Sequence, residues 1–217
     1  TVDLGEPRIV YNGSGYGRVS VAYLGAGADR VDFLAVDTAG GPVAGSQASF
    51  TASPGMTLVG YPAIEWNGSK YGLLWEEVGG GTAHLHFSTI DPAAAYATSD
   101  VTLEGTLASS VGGVTEYQDG MVDLAWSDDG FGAVWIYKNL TSGADVWFFE
   151  VDEGGTVIDG PVTLSTGTNA YNPALVWYNP DQYRYWSFVW NEFSSGMHLL
   201  YSFSYGCCWN PSDPDCS

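Results

Sequence analysis

An all-β fold of short antiparallel strands is predicted by three observations: one phrase written four times, apolar alternation inside each copy, and turn chemistry between copies. The phrase runs Pro7-Arg-Ile-Val-Tyr-Asn-Gly-Ser-Gly-Tyr-Gly17, Pro62-Ala-Ile-Glu-Trp-Asn-Gly-Ser-Lys-Tyr-Gly72 and Val122-Asp-Leu-Ala-Trp-Ser-Asp-Asp-Gly-Phe-Gly132, with a looser Pro173-Ala-Leu-Val-Trp-Tyr-Asn-Pro180. Its aromatic marker falls at Tyr11, Trp66, Trp126 and Trp177. A step of roughly 50–60 residues with several strand patterns per unit points to propeller blades.

Each unit parses into the same elements. In the first strand Pro7, Ile9 and Tyr11 alternate, as do Pro62, Ile64 and Trp66, then Val122, Leu124 and Trp126, then Pro173, Leu175 and Trp177. Period two puts each set on one face. Asn-Gly-Ser or Ser-Asp-Asp-Gly then supplies a hairpin turn, since Gly, Asn and Asp accept positive φ. The second strand opens on an aromatic and a glycine, Tyr16-Gly17, Tyr71-Gly72 and Phe131-Gly132. Glycine there predicts an approach too close for a Cβ. Third strands cover Val31–Asp37, Leu85–Asp91, Val146–Asp152 and Leu199–Ser204. Asp37, Asp91 and Asp152 are placed to accept from the amides of the following turn. Fourth strands are Ala48–Phe50, Val101–Leu103 and Val162–Leu164.

The fourth unit lacks a fourth strand of its own. Thr1-Val-Asp-Leu4 reads like Asp100-Val-Thr-Leu103 and Pro161-Val-Thr-Leu164. It is therefore expected to pair into the last blade as its outer strand and close the ring. The expectation is a four-bladed β-propeller of four-stranded antiparallel blades over residues 1–206. Its blades fall at 7–51, 57–105, 121–166 and 173–204 plus 1–5, and a cysteine-containing tail covers 207–217. Two packed β-sandwiches share the strand count but leave the displaced strand unexplained.

Composition narrows function. The 217 residues carry 25 Asp and Glu against 6 Lys and Arg, a net charge of −19. Nucleic acid and anionic lipid are disfavoured partners, because both are bound through clustered Lys and Arg. No apolar run approaches the ~20 residues of a membrane helix. Thr1 opens directly in strand-like sequence, so an export signal is expected to have been removed already. All three cysteines, Cys207, Cys208 and Cys216, sit in the tail. One of the vicinal pair can close a loop with Cys216 and leave an odd thiol for a neighbouring chain. Three free thiols are the alternative. Asn12, Asn67 and Asn139 begin N-glycosylation sequons, two of them also plain turns.

The Trp-Asn-Gly-Ser-x-Tyr-Gly and Val-x-Phe-x-x-x-Asp units resemble propeller repeats of secreted and surface proteins of bacteria. That resemblance spans about residues 1–205 and implies an extracellular propeller. It implies no catalytic residue, because such repeats accompany many functions.

Candidate chemistry is sparse. There is no Gly-x-Ser-x-Gly elbow, and histidine occurs only at His84, His86 and His198. His84 and His86 share a strand face. His198 matches His84 in the fourth unit, but third strands of separate blades lie too far apart to share a zinc ion. Calcium wants several oxygens, and the chain offers Asp119, Glu76-Glu77 and the Asp37, Asp91 and Asp152 series beside the main candidates Glu65, Asp123, Asp128 and Asp129, with Glu65 and Asp123 on first strands near an axis. The Ser127-Asp-Asp-Gly130 turn differs from the Asp-box of sialidase-like propellers, its glycine falling one place early. Four arginines make a poor site for an anionic sugar. Aromatics outside the repeat, Tyr96, Tyr117, Tyr171, Tyr178 and Trp209, are the candidates for ligand contact.

The expected function is a non-enzymatic extracellular or cell-surface module that binds or assembles through loops on a rigid ring. A protein or polysaccharide partner is expected, with homo-oligomerisation through the tail. No cofactor is required, calcium being the one candidate. A glycan-binding lectin is the alternative, and a carbohydrate-active hydrolase with paired carboxylates the third reading.

Overall fold

The computed structural model describes residues 3–5, 7–23, 29–79, 82–103, 122–139, 143–165, 170–179, 185–193, 197–200 and 204–206. They form four antiparallel sheets in chain order. Sheet one holds β1 (Asp3–Leu4), β2 (Arg8–Tyr11), β3 (Gly15–Tyr23), β4 (Arg30–Asp37) and β5 (Ala48–Thr51). Sheet two holds β6 (Thr57–Trp66), β7 (Tyr71–Gly79), β8 (Thr82–Asp91) and β9 (Ala97–Thr102). Sheet three holds β10 (Val122–Trp126), β11 (Phe131–Asn139), β12 (Gly143–Val151) and β13 (Val157–Thr163). Sheet four holds β14 (Ala170–Tyr178), β15 (Tyr185–Phe193), β16 (Met197–Leu200) and β17 (Ser204–Gly206). Successive strands pair as meanders, and the architecture is all-β and propeller-like.

The turns use the expected chemistry. Asn12 Oδ1 accepts from the amides of Ser14 and Gly15, and Asn67 Oδ1 from those of Ser69 and Lys70. The Ser127 hydroxyl accepts from the amides of Asp129 and Gly130 in the third copy. Asp37, Asp91 and Asp152 each accept two turn amides.

Three apolar interfaces stack the sheets. Val19, Val21 and Phe33 of sheet one meet Ile64, Tyr71 and Leu73 of sheet two. Ala63, Leu74 and Phe87 meet Leu124, Phe131 and Phe149 of sheet three. Val134, Val146 and Phe148 meet Leu175, Trp186 and Phe188 of sheet four. One device recurs at each joint: the aromatic opening a second strand lies on the glycine of the sheet before it. A Cβ on Gly72 would stand 2.5 Å from the Phe131 ring, and one on Gly17 or Gly132 would overlap Tyr71 or Trp186 in the same way. This is the close approach that the aromatic-glycine pair implied.

The expected closing strand is overturned. Asp3 and Leu4 pair with Tyr23 and Ala22 of β3, inside sheet one, not with sheet four. The useful match is Leu4-Gly5-Glu6-Pro7 with Val59-Gly60-Tyr61-Pro62. In β6 the strand bulges between Val59 and Ala63, where Gly60 takes φ +65° and Pro62 has no amide to give. In β14 the same break falls between Tyr171 and Ala174, with Asn172 at φ +50° ahead of Pro173. Residues ahead of the proline are thus the upstream half of an inner strand. Strand-like alternation alone could not distinguish that from an outer strand.

In sheet four β16 and β17 both pair with β15, as successive pieces of one edge. No further strand lies outside them among the described residues. Among the described residues, the faces of sheets one and four that look away from sheets two and three carry exposed apolar side chains: Ile9 is 63% exposed and Val176 55%. Tyr16, the first sheet's version of the joint aromatic, is 36% exposed, against 0% for Tyr71 and Phe131. The position matching the three joint glycines in sheet four is Ser187, whose Cβ would oppose such a ring.

Candidate functional site

Inner strands from three sheets converge on one cavity. Its volume is about 220 Å³, and it is lined by Arg8, Val122, Asp123, Asn172, Pro173 and Ala174. Arg8, Ala63, Asp123 and Ala174 occupy the same place in the four copies of the repeat, one residue after its first apolar position. Three of those four line the cavity, while Ala63 is packed into the joint between sheets two and three. The neighbours of this repeat position build the joints and vary little, whereas the position itself reads Arg, Ala, Asp, Ala. That contrast is the signal that marks Arg8, which alternation and charge by themselves do not single out.

Two carboxylates on the inner strands are perturbed. Burial pushes Asp123 up, and the Leu175 and Leu124 amides and the Arg8 charge recover only part of the shift. Its Oδ2 accepts from the Leu175 amide at 3.1 Å. Glu65 is also raised, by burial first; its bond from the Trp66 amide opposes this and the charge of Asp123 adds to it. Glu65 thus feels the charge of Asp123. Arg8 lines the same cavity, and its charge opposes the rise on Asp123.

The other candidates disperse. Asp128 accepts from Asn179 Nδ2 at 2.7 Å, tying sheet three to sheet four, and Asp129 is exposed on the same turn. Neither joins Glu65 and Asp123 among the contacts described. Asn12 Nδ2 donates to the Tyr71 hydroxyl, and Asn67 Nδ2 to Glu153 at 2.6 Å. The nitrogens a glycan would occupy thus already bridge sheets. Asn139 ends β11, and its side chain lies outside the described set. Tyr96 is half-buried with its ring 6.3 Å from Phe33. Tyr171 is half-buried, and Tyr178 is exposed against Tyr185, centroids 5.0 Å apart. Tyr117, Trp209, Cys207, Cys208 and Cys216 lie outside the described residues.

A second cluster, in sheet two, escapes the sequence patterns. The β7–β8 register sets Glu77 opposite His84 and Trp75 opposite His86. Glu77 Oε1 lies 2.8 Å from His86 Nε2 and 3.8 Å from His84 Nδ1, while Glu77 Oε2 accepts from the Ser53 amide at 2.8 Å. Glu77 is buried, yet its bonds from Ser53 and His86 outweigh desolvation and hold its carboxyl below the ordinary value. Burial works against the charge on His86, but Asp100 and Glu77 prevail and raise it. Counting back through the tight Gly79–Thr82 connection finds Glu77. Comparing the histidines only with His198 does not, and the side chain of His198 lies outside the described set.

No protein-family model matches the chain, and no curated protein does. Among solved structures, an endo-arabinase from Bacteroides thetaiotaomicron superposes with TM-score 0.55 at 13% identity, over 92% of this chain and 74% of that one. The Synechocystis apocarotenoid oxygenase gives 0.47 at 12%, over 94% and 51%. The acylaminoacyl peptidase of Pyrococcus horikoshii gives 0.42 at 13%, over 93% and 32%. This chain spans about half of the oxygenase and a third of the peptidase. The first likeness supports the propeller-like all-β class. It carries no activity, because a fold hosts many.

Proposed function

We propose that this chain is a non-enzymatic, extracellular binding and assembly module that associates through the open faces of its first and last sheets. The observation that carries this is the pair of exposed ring contacts, Tyr11–Tyr16 and Tyr178–Tyr185, flanked by Ile9, Val176 and Val189. At the internal joints the corresponding rings are sealed against a neighbouring sheet. The occupant we assign is a second copy of the chain. Faces from different chains need not meet in the register that Ser187 obstructs, and a two-fold pairing of like faces is the commonest way for subunits to join. The cavity, at about 220 Å³, is smaller than the ~300–1,000 Å³ of ordinary ligand pockets, which favours contact through the faces.

Sedimentation velocity across a concentration series tests the reading. Wild type should shift from monomer to dimer or higher species, and Ile9→Asp or Val176→Asp should hold it monomeric. Both residues are surface-exposed, so both variants should fold. A wild type that stays monomeric at every concentration overturns the proposal.

Glycan binding is a second reading, favoured by the exposed Tyr178–Tyr185 pair, because rings present apolar faces to sugars. A glycan array would have to show binding that Tyr178→Ala removes. The hydrolase reading rests on the interacting Glu65 and Asp123. It requires turnover of a polysaccharide that Asp123→Asn abolishes.

A further inference from the structure

Glu77, His84 and His86 form a set that the cavity and the exposed faces do not use. We infer that these three side chains bind a divalent transition metal, zinc being the ion that fits best. Their candidate ligand atoms all lie within 4.8 Å of one another. Zinc bonded to nitrogen and oxygen at ~2.0–2.1 Å in a tetrahedron separates its ligands by roughly 3.3–3.4 Å. The observed 2.8 Å and 3.8 Å separations from Glu77 Oε1 bracket that edge. Small side-chain rotations suffice to reach it.

Four further features support a built site. All three residues stand on two directly paired strands, so the backbone positions them before any ion arrives. His86 has its Nδ1 3.7 Å from Asp100 Oδ1 while Nε2 faces Glu77. A carboxylate beside the second ring nitrogen is the partner that orients metal-ligating histidines, and Asp100 stands there at ion-pair distance. The His86 ring is also fixed by stacking on Trp75, centroids 5.2 Å apart and planes 9° from parallel. Ser53 holds the far oxygen of Glu77, which leaves Oε1 on the histidine side. The metal would replace the proton shared by Glu77 and His86. His84 is the more accessible of the two histidines, and it would leave the fourth position on the solvent side.

Untagged full-length protein should be reduced, its tail cysteines alkylated, and the sample stripped with chelator before titration with zinc chloride. One equivalent should bind, and cobalt substitution should give the visible absorption of a tetrahedral ion. His84→Gln removes a partly exposed ligand without emptying the core, and it should weaken binding at least about tenfold and abolish the cobalt signal. Glu77→Gln should do the same. If alkylated wild type takes up no zinc, or if His84→Gln binds as wild type does, the proposal is wrong. Zinc uptake that disappears on alkylation would assign the metal to the tail and would equally overturn it.

Discussion

At the scale of single residues, the joints depend on the absence of one carbon atom. Replacing Gly72 by Ala puts a Cβ 2.5 Å from the Phe131 ring, and Phe131 is fully buried with nowhere to retreat. Overpacking of this kind costs roughly 1–3 kcal/mol, more where neighbours cannot move. Chemical denaturation should show Gly72→Ala near the upper end of that range. Gly13 is the control: nothing lies within 4 Å of its missing Cβ, and φ is +90°. Alanine there should cost only its backbone strain, about 1 kcal/mol.

Charge acts at the same scale. Burial raises Glu76 from 4.5 to about 7. The folded state therefore holds that proton more tightly than the unfolded chain, and stability falls as pH rises from 4.5 through 7. The full penalty above that window is on the order of 3 kcal/mol. Glu76→Gln should raise the melting temperature at about pH 8 and leave it nearly unchanged at about pH 5. Equal effects at both pH values would contradict the assignment. The Glu77–His86 pair has its own window. The contribution from His86, raised above 6.5, is complete below 6.5 and is lost as pH climbs through its folded value. That from Glu77, lowered below 4.5, is complete above 4.5 and is lost as pH falls through its folded value. Sheet two should accordingly be most stable in mild acid, and hydrogen exchange in β7 and β8 against pH would show it.

At the scale of elements, the hairpin turns do two jobs. Asn67 accepts two amides within its turn and donates to Glu153 on sheet three, where Lys70 also pairs with Glu153 at 2.7 Å. Asn67→Ala should cost more than an isolated turn residue, about 1–3 kcal/mol, because the amide contacts and the inter-sheet bond are lost together. Thermal or chemical unfolding of the variant measures it directly. The strand alternation, turn residues and closing aspartates are all legible in the sequence, since each depends on neighbours within a few residues. The bulge at Pro62 and Pro173 is not legible as part of a longer strand. Proline normally marks a strand boundary, and only the register across β6–β7 and β14–β15 shows pairing resuming beyond it.

At the scale of the whole molecule, exposed apolar and aromatic side chains mark the outer faces of sheets one and four among the described residues. Removing residues 1–5 should reduce hydrogen-exchange protection in β3, where Asp3 and Leu4 pair. Protection in β16 should not change. Loss of protection in β16 instead would return the opening segment to the outer edge of sheet four. The self-association expected of the open faces belongs to this scale, and its reach depends on the exposed Ile9, Tyr11, Val176 and Tyr178.

The amino-acid sequence alone determined the class, the number of sheets, the turns and the joint glycines. Those features follow from period-two alternation and from conformational preferences that act over a handful of residues. It also marked Glu65 and Asp123, since first strands of a repeat tend to gather. Tertiary structure decided which edge the opening segment joins, that Arg8 shares the cavity with Asp123, and that Glu77 meets two histidines. Each of these depends on strand register and sheet packing, where residues far apart in the chain compete for the same partners and local pattern gives no preference among them.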